Sequence, residues 1–538
     1  MKKQFLFIFL TVAECLLPFF SFSQPFQQWA SVYNGTSNNI DYGRALRIDA
    51  AGNSWIAGTV SNSGTAKDIA VIKYNSQGIQ QWVAAYNGIA NTDDWGYGLV
   101  IDSDGNSYAT GFTSTTTSGK DFVTVKFDSS GVFLWARQYN GPANLDDAAN
   151  HIAIDPWGNV IVTGPSKGNG TFDDYATVKY SPNGIQLWVA RYDGTASDID
   201  DARTITADKW GNVYVSGGST GTGSDYDYVT VKYDSSGTQK WVARYNGPNN
   251  AYDMVYYQGS VIADTLGNIY ITGYSTGLDS SLDYATIKYD SLGNQLWVSR
   301  YSTDSAGTDY ADAIYVDNSL NVYVTGGSFK APNNYDFATV KYNPQGVQQW
   351  VSFYNGTASD WDEAYGVVTD DSLNVYITGR SPGAGTMADF VTIKYSSSGN
   401  QSWETRYTNS GYDWPFAIRL HSSGCIYTGG NMGAPSFSDM GVIKYCQPPL
   451  GISIPSEKKS DFEIFPNPNN GKFYISVVNE ESRFLLEIYN LTGESVFTTT
   501  ISSHKETLNI DLPDGIYFIR MVSNNISTSK KLIISSKN

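Results

Sequence analysis

Trp29, Trp82, Trp135, Trp188, Trp241, Trp297, Trp350 and Trp403 recur every 53 residues, with one interval of 56 between Trp241 and Trp297. A fixed period of this length means one supersecondary unit per repeat, and it replaces the three or four domains that 538 residues would otherwise suggest. Each unit reads W-x-x-x-Y-N-G, an Asp-led apolar stretch, D-x-x-G-N-x-Y-x-x-G, then D-[YF]-x-T-[VI]-K-Y and a turn back to the next Trp. In the fourth unit the pieces are 202–207, 212–216, 227–233 and 239–245, each of strand length and bounded by Gly, Asn, Asp or Ser. With 39 Tyr, 14 Trp and 52 Gly, the composition suits short aromatic strands rather than helices, so the chain reads as all-β.

Four-stranded units repeated about an axis form a β-propeller, in which closure leaves only short, protected sheet edges. An open solenoid of the same units would expose both terminal faces. The ends favour closure: the repeats begin with a lone Trp strand, 27–33, and stop after the third-strand motif, 439–445. We expect residues 27–35 to complete an eighth blade. Counting only Trp-to-Trp segments gives seven blades as the alternative. Cys425 opens the second strand of the last unit and Cys446 closes its third, so an antiparallel hairpin sets them opposite each other and predicts a disulfide at the closure.

Segments such as IAIDPWGNVIVTG (152–164) and ITADKWGNVYVSGGS (205–219) resemble the SBBP β-propeller repeat and, more loosely, NHL-type propellers. The resemblance covers about 27–445. It implies a propeller whose strand before the D-x-x-G-N turn lies nearest the central channel. It says nearly nothing about ligand, because propellers host unrelated functions.

Residues 1–24 carry Lys2 and Lys3, an apolar run and a small-residue segment, the pattern of an export signal. Residues 25–446 form the propeller and 447–460 a Pro-rich linker. Residues 461–538 alternate apolar runs with Gly, Asn and Pro turns and read as a small Ig-like β-sandwich. This last segment is similar to the type A C-terminal sorting domain of the type IX (Por) secretion system, through Pro466, Asn467, Pro468 and Gly471, the Tyr489 to Gly493 segment, Gly515 and Tyr517, and Lys531. The resemblance implies passage through the periplasm, engagement of the type IX machinery, and secretion or surface attachment. No later segment approaches the ~18 apolar residues of a membrane span. A net charge of −17 argues against nucleic acid, which requires a basic surface.

Catalytic motifs are not found. G-x-S-x-G occurs at 164–168, 217–221, 273–277 and 379–383, but at one repeat position between strands, whereas a nucleophile elbow leads into a helix. His151, His421 and His504 are too scattered for a metal cluster or triad and read as structural or solvent-exposed. No cofactor is expected.

An Asp follows each Trp at similar spacing: Asp41, Asp94, Asp147, Asp200, Asp253, Asp309, Asp362 and Asp413. The structural reading is a carboxylate capping a turn through backbone N–H groups. The functional one is a polar-ligand ring at a channel mouth; a divalent cation there is not predicted. Beside this ring stand Tyr42, Trp95, Tyr310, Trp361 and Trp414, whereas Ala148, Asp201 and Met254 occupy the third to fifth units. In a closed ring the aromatic units form one arc, suited to a glycan or protein ligand. The expected function is therefore extracellular binding or adhesion, with Asp41, Asp94, Asp309, Asp362 and Asp413 joining the aromatics as candidate site residues. The alternative is a glycan-active lyase or hydrolase using carboxylates at the channel mouth.

Overall fold

The computed structural model describes residues 24–447 except 256–258, 304–306, 331–333, 410 and 435–436, and residues 462–535 except 478–483, 491–493, 503–504 and 524–525. The expected export signal up to residue 23, most of the linker, Gly493 and His504 lie outside the described residues. Every regular element described is a strand, and the chain divides into a unit spanning Gln24–Cys446 and a second unit that includes the C-terminal strands.

Eight sheets follow one another along the first unit. Tyr42–Ile48, Ser54–Ser61, Lys67–Tyr74 and Gln80–Tyr86 form the first, antiparallel and in chain order. The next six repeat that order; in the fifth, the innermost strand is split into Asp253–Met254 and Val261–Ala263, where the repeat gains three residues. The eighth takes Trp414–Leu420, Ile426–Ala434 and Phe437–Cys446 from the end of the unit and its outer strand, Phe26–Tyr33, from the start. Gln27 faces Tyr445 and Tyr33 faces Met440 in this pairing.

A separate apolar core lies between each sheet and the next. Ala57 and Val71 of the first pack with Leu99 and Val123 of the second, and Leu46 and Ile56 of the first pack with Met440 and Val442 of the eighth. The tryptophan period follows from a latch that seven of the eight tryptophans make to the following sheet. Trp82 Nε1 donates to Ser129 O at 3.1 Å, and Trp135 Nε1 to Pro182 O at 3.1 Å, in each case the turn between the third and fourth strands of the following sheet. Gly131 lies beneath the Trp82 ring with φ of 87°; a Cβ there would sit 2.7 Å from the indole. Trp29 makes the same bond to Ser76 O at 3.1 Å, so the N-terminal strand latches the eighth sheet to the first. Trp403 Nε1 has no such partner among the described residues, because in the eighth sheet chain ends replace that turn.

The D-x-x-G-N turns are closed by their Asp: Asp49 Oδ1 accepts from Ala51 N at 2.9 Å and Asn53 N at 2.8 Å, with Gly52 at φ 79°. The sixth and seventh turns depart from the glycine rule, placing Leu320 at φ 64° and Leu373 at φ 61°. A left-handed leucine costs about 1–2 kcal/mol, tolerated here because the flanking ladder fixes the turn.

Disulfide Cys425–Cys446 is formed, joining the second and third strands of the eighth sheet. In the C-terminal unit, Phe462–Phe465, Lys472–Val477 and Lys505–Asn509 form one sheet, and Ser495–Ile501, Phe484–Tyr489, Gly515–Ser523 and Ile526–Ile534 another. Phe473, Ile475, Leu486, Ile488, Ile519 and Leu532 fill a shared core, which makes a sandwich. Its Pro-Asn-Pro turn is held to the last strand: Asn467 Nδ2 donates to Lys531 O at 2.7 Å and Asn467 Oδ1 accepts from Ile533 N at 2.8 Å. Pro466 and Pro468 flank Asn467 on the exposed bend. Gly471 N donates to Asn469 Oδ1 at 2.8 Å, and the Tyr517 hydroxyl, two residues after Gly515, donates to Pro513 O at 2.8 Å.

Candidate functional site

The innermost strands surround one cavity of about 1000 Å³ to which each of the eight sheets contributes, from Arg47 in the first and His151 in the third to Tyr365 in the seventh and Arg419 in the eighth. The strand preceding the D-x-x-G-N turn thus lines this cavity, the strand that the repeat resemblance placed nearest a central channel.

The Asp ring does not line this cavity. Asp41, Asp94, Asp309, Asp362 and Asp413 are all 0% exposed. Asp41 accepts from Gly35 N at 2.5 Å and Ser61 N at 2.7 Å, and Asp413 accepts from Asn409 N and Gly433 N, both at 2.9 Å. Asp94 caps Gly88 N, Asp309 caps Thr303 N and Phe329 N, and Asp362 caps Gly356 N. This corrects their nomination as ligand-binding residues. Each carboxylate satisfies backbone donors of its own loop and leaves no face for a ligand, as the capping reading requires.

Burial pushes the carboxyls of Asp200, Asp362 and Asp413 up to about 6, against N–H bonds that favour the charged form. The folded protein then retains protons that an unfolded chain, titrating near 3.8, has released. Their contribution to stability is full below about pH 4 and lost as pH rises through about 6. The thermal midpoint is expected to be a few degrees higher at pH 5 than at pH 7.5, with Asp362→Asn narrowing the gap. A midpoint that drops between pH 7.5 and pH 5 would contradict this account.

The aromatics assemble more extensively than the sequence indicated. Tyr42 stacks on Trp95 at 5.2 Å between centroids, with Lys67 Nζ 4.0 Å over Trp95. Trp414 stacks on Phe416 at 5.6 Å, and Arg44 lies over both Phe416 and Tyr42, at 4.9 and 5.5 Å. Arg380 bridges Trp414 and Trp361 at 4.3 and 5.0 Å. Trp361 stacks on Tyr335 at 4.8 Å, and Tyr335 on Tyr310 at 5.9 Å. All five nominated aromatics therefore belong to one connected array, which Tyr274 and Tyr252 extend into the fifth unit. Only Tyr42 and Trp414 of the five line the cavity itself. Trp361 precedes Asp362 rather than following its ring Asp; Glu363 takes the position equivalent to Tyr42, and Trp361, 44% exposed, reaches the array from the loop.

Sequence reading missed Arg44, Tyr97, Phe416, Tyr335 and Arg380. Arg44, Tyr97 and Phe416 lie two positions beyond the chosen aromatics on the same strand, a spacing that returns side chains to one face. Arg380 follows the Gly that every unit keeps in its second strand, a position where the units hold Thr59, Phe112, Pro165, Gly218, Tyr274, Gly327, Arg380 and Asn431 in turn.

The G-x-S-x-G serines are structural. Ser166, Ser219 and Ser381 accept from Arg191, Arg244 and Arg406 of the fourth strands, in strand-to-strand settings. Glu363 is engaged by Arg380 at 3.0 Å and by the Tyr365 hydroxyl, while neighbouring Asp312, 1% exposed, is held well above the usual carboxylate range by burial and by the Glu363 charge. Asp174, Asp193 and Asp200 each bring an oxygen within 4.8 Å of the others, but Arg191 already pairs with Asp174 at 2.7 Å.

Residues 81–117 match the family model of a β-propeller repeat. Residues 463–535 match that of a secretion system C-terminal sorting domain, which implies interaction with the type IX machinery and export to the cell surface or beyond. An uncharacterized WD repeat-containing protein of Acanthamoeba polyphaga mimivirus is 25% identical over 420 residues; the match spans 64% of this chain and 28% of that protein, so this chain covers under a third of that relative's length. Among solved structures, PorZ, a bacterial surface component of the type IX secretion system of Porphyromonas gingivalis, aligns with 13% identity over 97% of this chain and 76% of its own, with a TM-score of 0.40. An ulvan lyase aligns with 11% identity over 74% of this chain and 96% of its own, with a TM-score of 0.36. No helix among the described residues is long and apolar enough to cross a membrane.

Proposed function

We propose that the eight sheets are the blades of one closed propeller, completed by Phe26–Tyr33, and that the exported protein binds an extracellular glycan at one mouth of its channel without catalysing a reaction. The domain plan is an export signal at 1–24, the propeller at 25–446, a linker and a removable sorting domain at 461–538. Closure is supported by the Trp29 latch and by the core shared between the first and eighth sheets.

The observation that carries the binding reading is the connected aromatic array. Lys67, Arg44 and Arg380 lie over its rings and hold them in place, so little side-chain entropy remains to be lost when a ligand docks on the array. Aromatic rings interleaved with cations offer the C–H groups of sugars a rigid apolar surface and their hydroxyls nearby donors. Catalysis would fall to Asp312 and Glu363, but Asp312 is buried and Glu363 is tied to Arg380.

The test is a glycan array probed with the purified protein and with Trp95→Ala and Trp414→Ala. Each variant is expected to lose about tenfold or more in affinity for the glycans that wild type retains. Undiminished glycan binding by both variants, or capture of proteins alone, would reject this reading.

A further inference from the structure

One layer of the channel carries a charge pattern that packing does not explain. Two positions before each turn Asp, or before His421 in the eighth unit, a side chain lines the cavity. Six of these eight are Val100, Ala153, Thr206, Ile262, Tyr315 and Val368, and the remaining two are Arg47 and Arg419. The two arginines are neighbours, because Tyr42–Ile48 packs directly against Trp414–Leu420. The turns beyond them are tied together by His421 Nε2 on Ala50 O at 3.0 Å and the Tyr427 hydroxyl on Gly52 O at 2.9 Å.

Neither arginine makes an ion pair among the described residues. Arg47 Nη1 donates to Leu46 O at 2.9 Å and Arg419 Nη1 to Ile418 O at 2.7 Å, each within its own strand. Both are half-buried where they border the cavity. Burial, with Arg419's charge added, lowers Arg47 to about 9, and burial lowers Arg419 to about 10. Two adjacent, half-buried guanidinium groups with no ion-pair partner among the described residues repel each other, and are conspicuous in a chain of net charge −17.

His151 borders the same cavity from the third sheet. Its Nδ1 faces Ile205 N–H at 3.1 Å and so must present a lone pair, which puts the ring proton on Nε2. Burial and the two arginines lower its pKa to about 3, so the ring stays neutral and offers a hydrogen-bond donor without competing for protons.

We propose that Arg47, Arg419 and His151 form an oxyanion site inside the channel, which takes the carboxylate or sulfate group of a ligand. The planar forks of two arginines match the paired oxygens of such groups, and the bound charge relieves their mutual repulsion. Only the view that the oxyanion belongs to a saccharide rests on the glycan-binding reading. The site itself does not.

The whole chain is followed by thermal denaturation and calorimetry at constant ionic strength, with chloride, inorganic sulfate, oligogalacturonate or a neutral oligosaccharide of the same length. Sulfate or oligogalacturonate is expected to raise the midpoint over chloride, and Arg47→Met with Arg419→Met to abolish the rise, a loss of about tenfold or more in affinity. Without anion, Arg419→Met is expected to melt no lower than wild type, since it removes a like charge; a merely structural arginine would instead destabilise when lost. Trp95→Ala should keep the sulfate response, so failure at the mouth and failure in the channel are separable. A response to oligogalacturonate makes an acidic saccharide the source, and a response to sulfate alone makes it a free ion. No response to either, or one that survives in the double variant, overturns the site.

Discussion

A chain truncated ahead of Phe462 is expected to stay in the periplasm, while the full-length protein appears at the surface or in the medium without its C-terminal unit. The effect should be close to all-or-none, because the sorting domain at 463–535 is the address and the propeller is cargo. Its fold suggests what is recognised. Asn467 bonds on both sides to the last strand and Asn469 N donates to Ile533 O at 3.0 Å, so the Pro-Asn-Pro turn and the C-terminal Lys531 segment form one surface rather than two separate motifs. Fractionation of the native host, with the propeller followed by antibody and mass, decides the matter. If truncated and intact proteins partition alike, the C-terminal sandwich becomes a candidate binding domain instead of a signal.

Removal of the disulfide should cost the propeller about 2–4 kcal/mol, the range expected for a bridge over a loop of this size. The bridge spans 21 residues and closes the second and third strands of the eighth sheet, the one sheet assembled from both ends of the unit. All other sheets hold their fourth strand through a turn of the same chain. The eighth holds Phe26–Tyr33 by ladder pairing and the Trp29 latch, so fraying of Cys446 would loosen the partner of Phe26 directly. Cys425→Ser, Cys446→Ser and the double variant should lose the same amount, since any of them breaks one bond, and reductant should bring wild type to their level. Equal denaturation midpoints with and without reductant would show that ladder pairing alone secures this sheet.

The repeat made most of the fold legible. Asp at the head of each D-x-x-G-N turn, Gly131 beneath Trp82, and the phase of residues 27–33 and 439–445 all follow from local chemistry repeated at a fixed spacing. The same periodicity hid two departures. Leu320 and Leu373 adopt the left-handed conformation without glycine, because the neighbouring ladders impose the turn. The Asp ring looked like a candidate surface because its regularity is visible in sequence, while its burial is not. Asp41 and Asp413 are fully enclosed by loops whose N–H groups they cap.

Sequence by itself determined the unit, its four strands, the disulfide partners and the C-terminal address, since each depends on residues close in the chain or on a period that recurs. Tertiary structure alone decided which side chains meet around the cavity. Arg380 of the seventh unit sits over Trp414 of the eighth, and Arg47 of the first unit lies beside Arg419 of the eighth, hundreds of residues later. Such neighbours are set by the side-by-side packing of sheets, in the second case from opposite ends of the chain, and charges from separate sheets accumulate there.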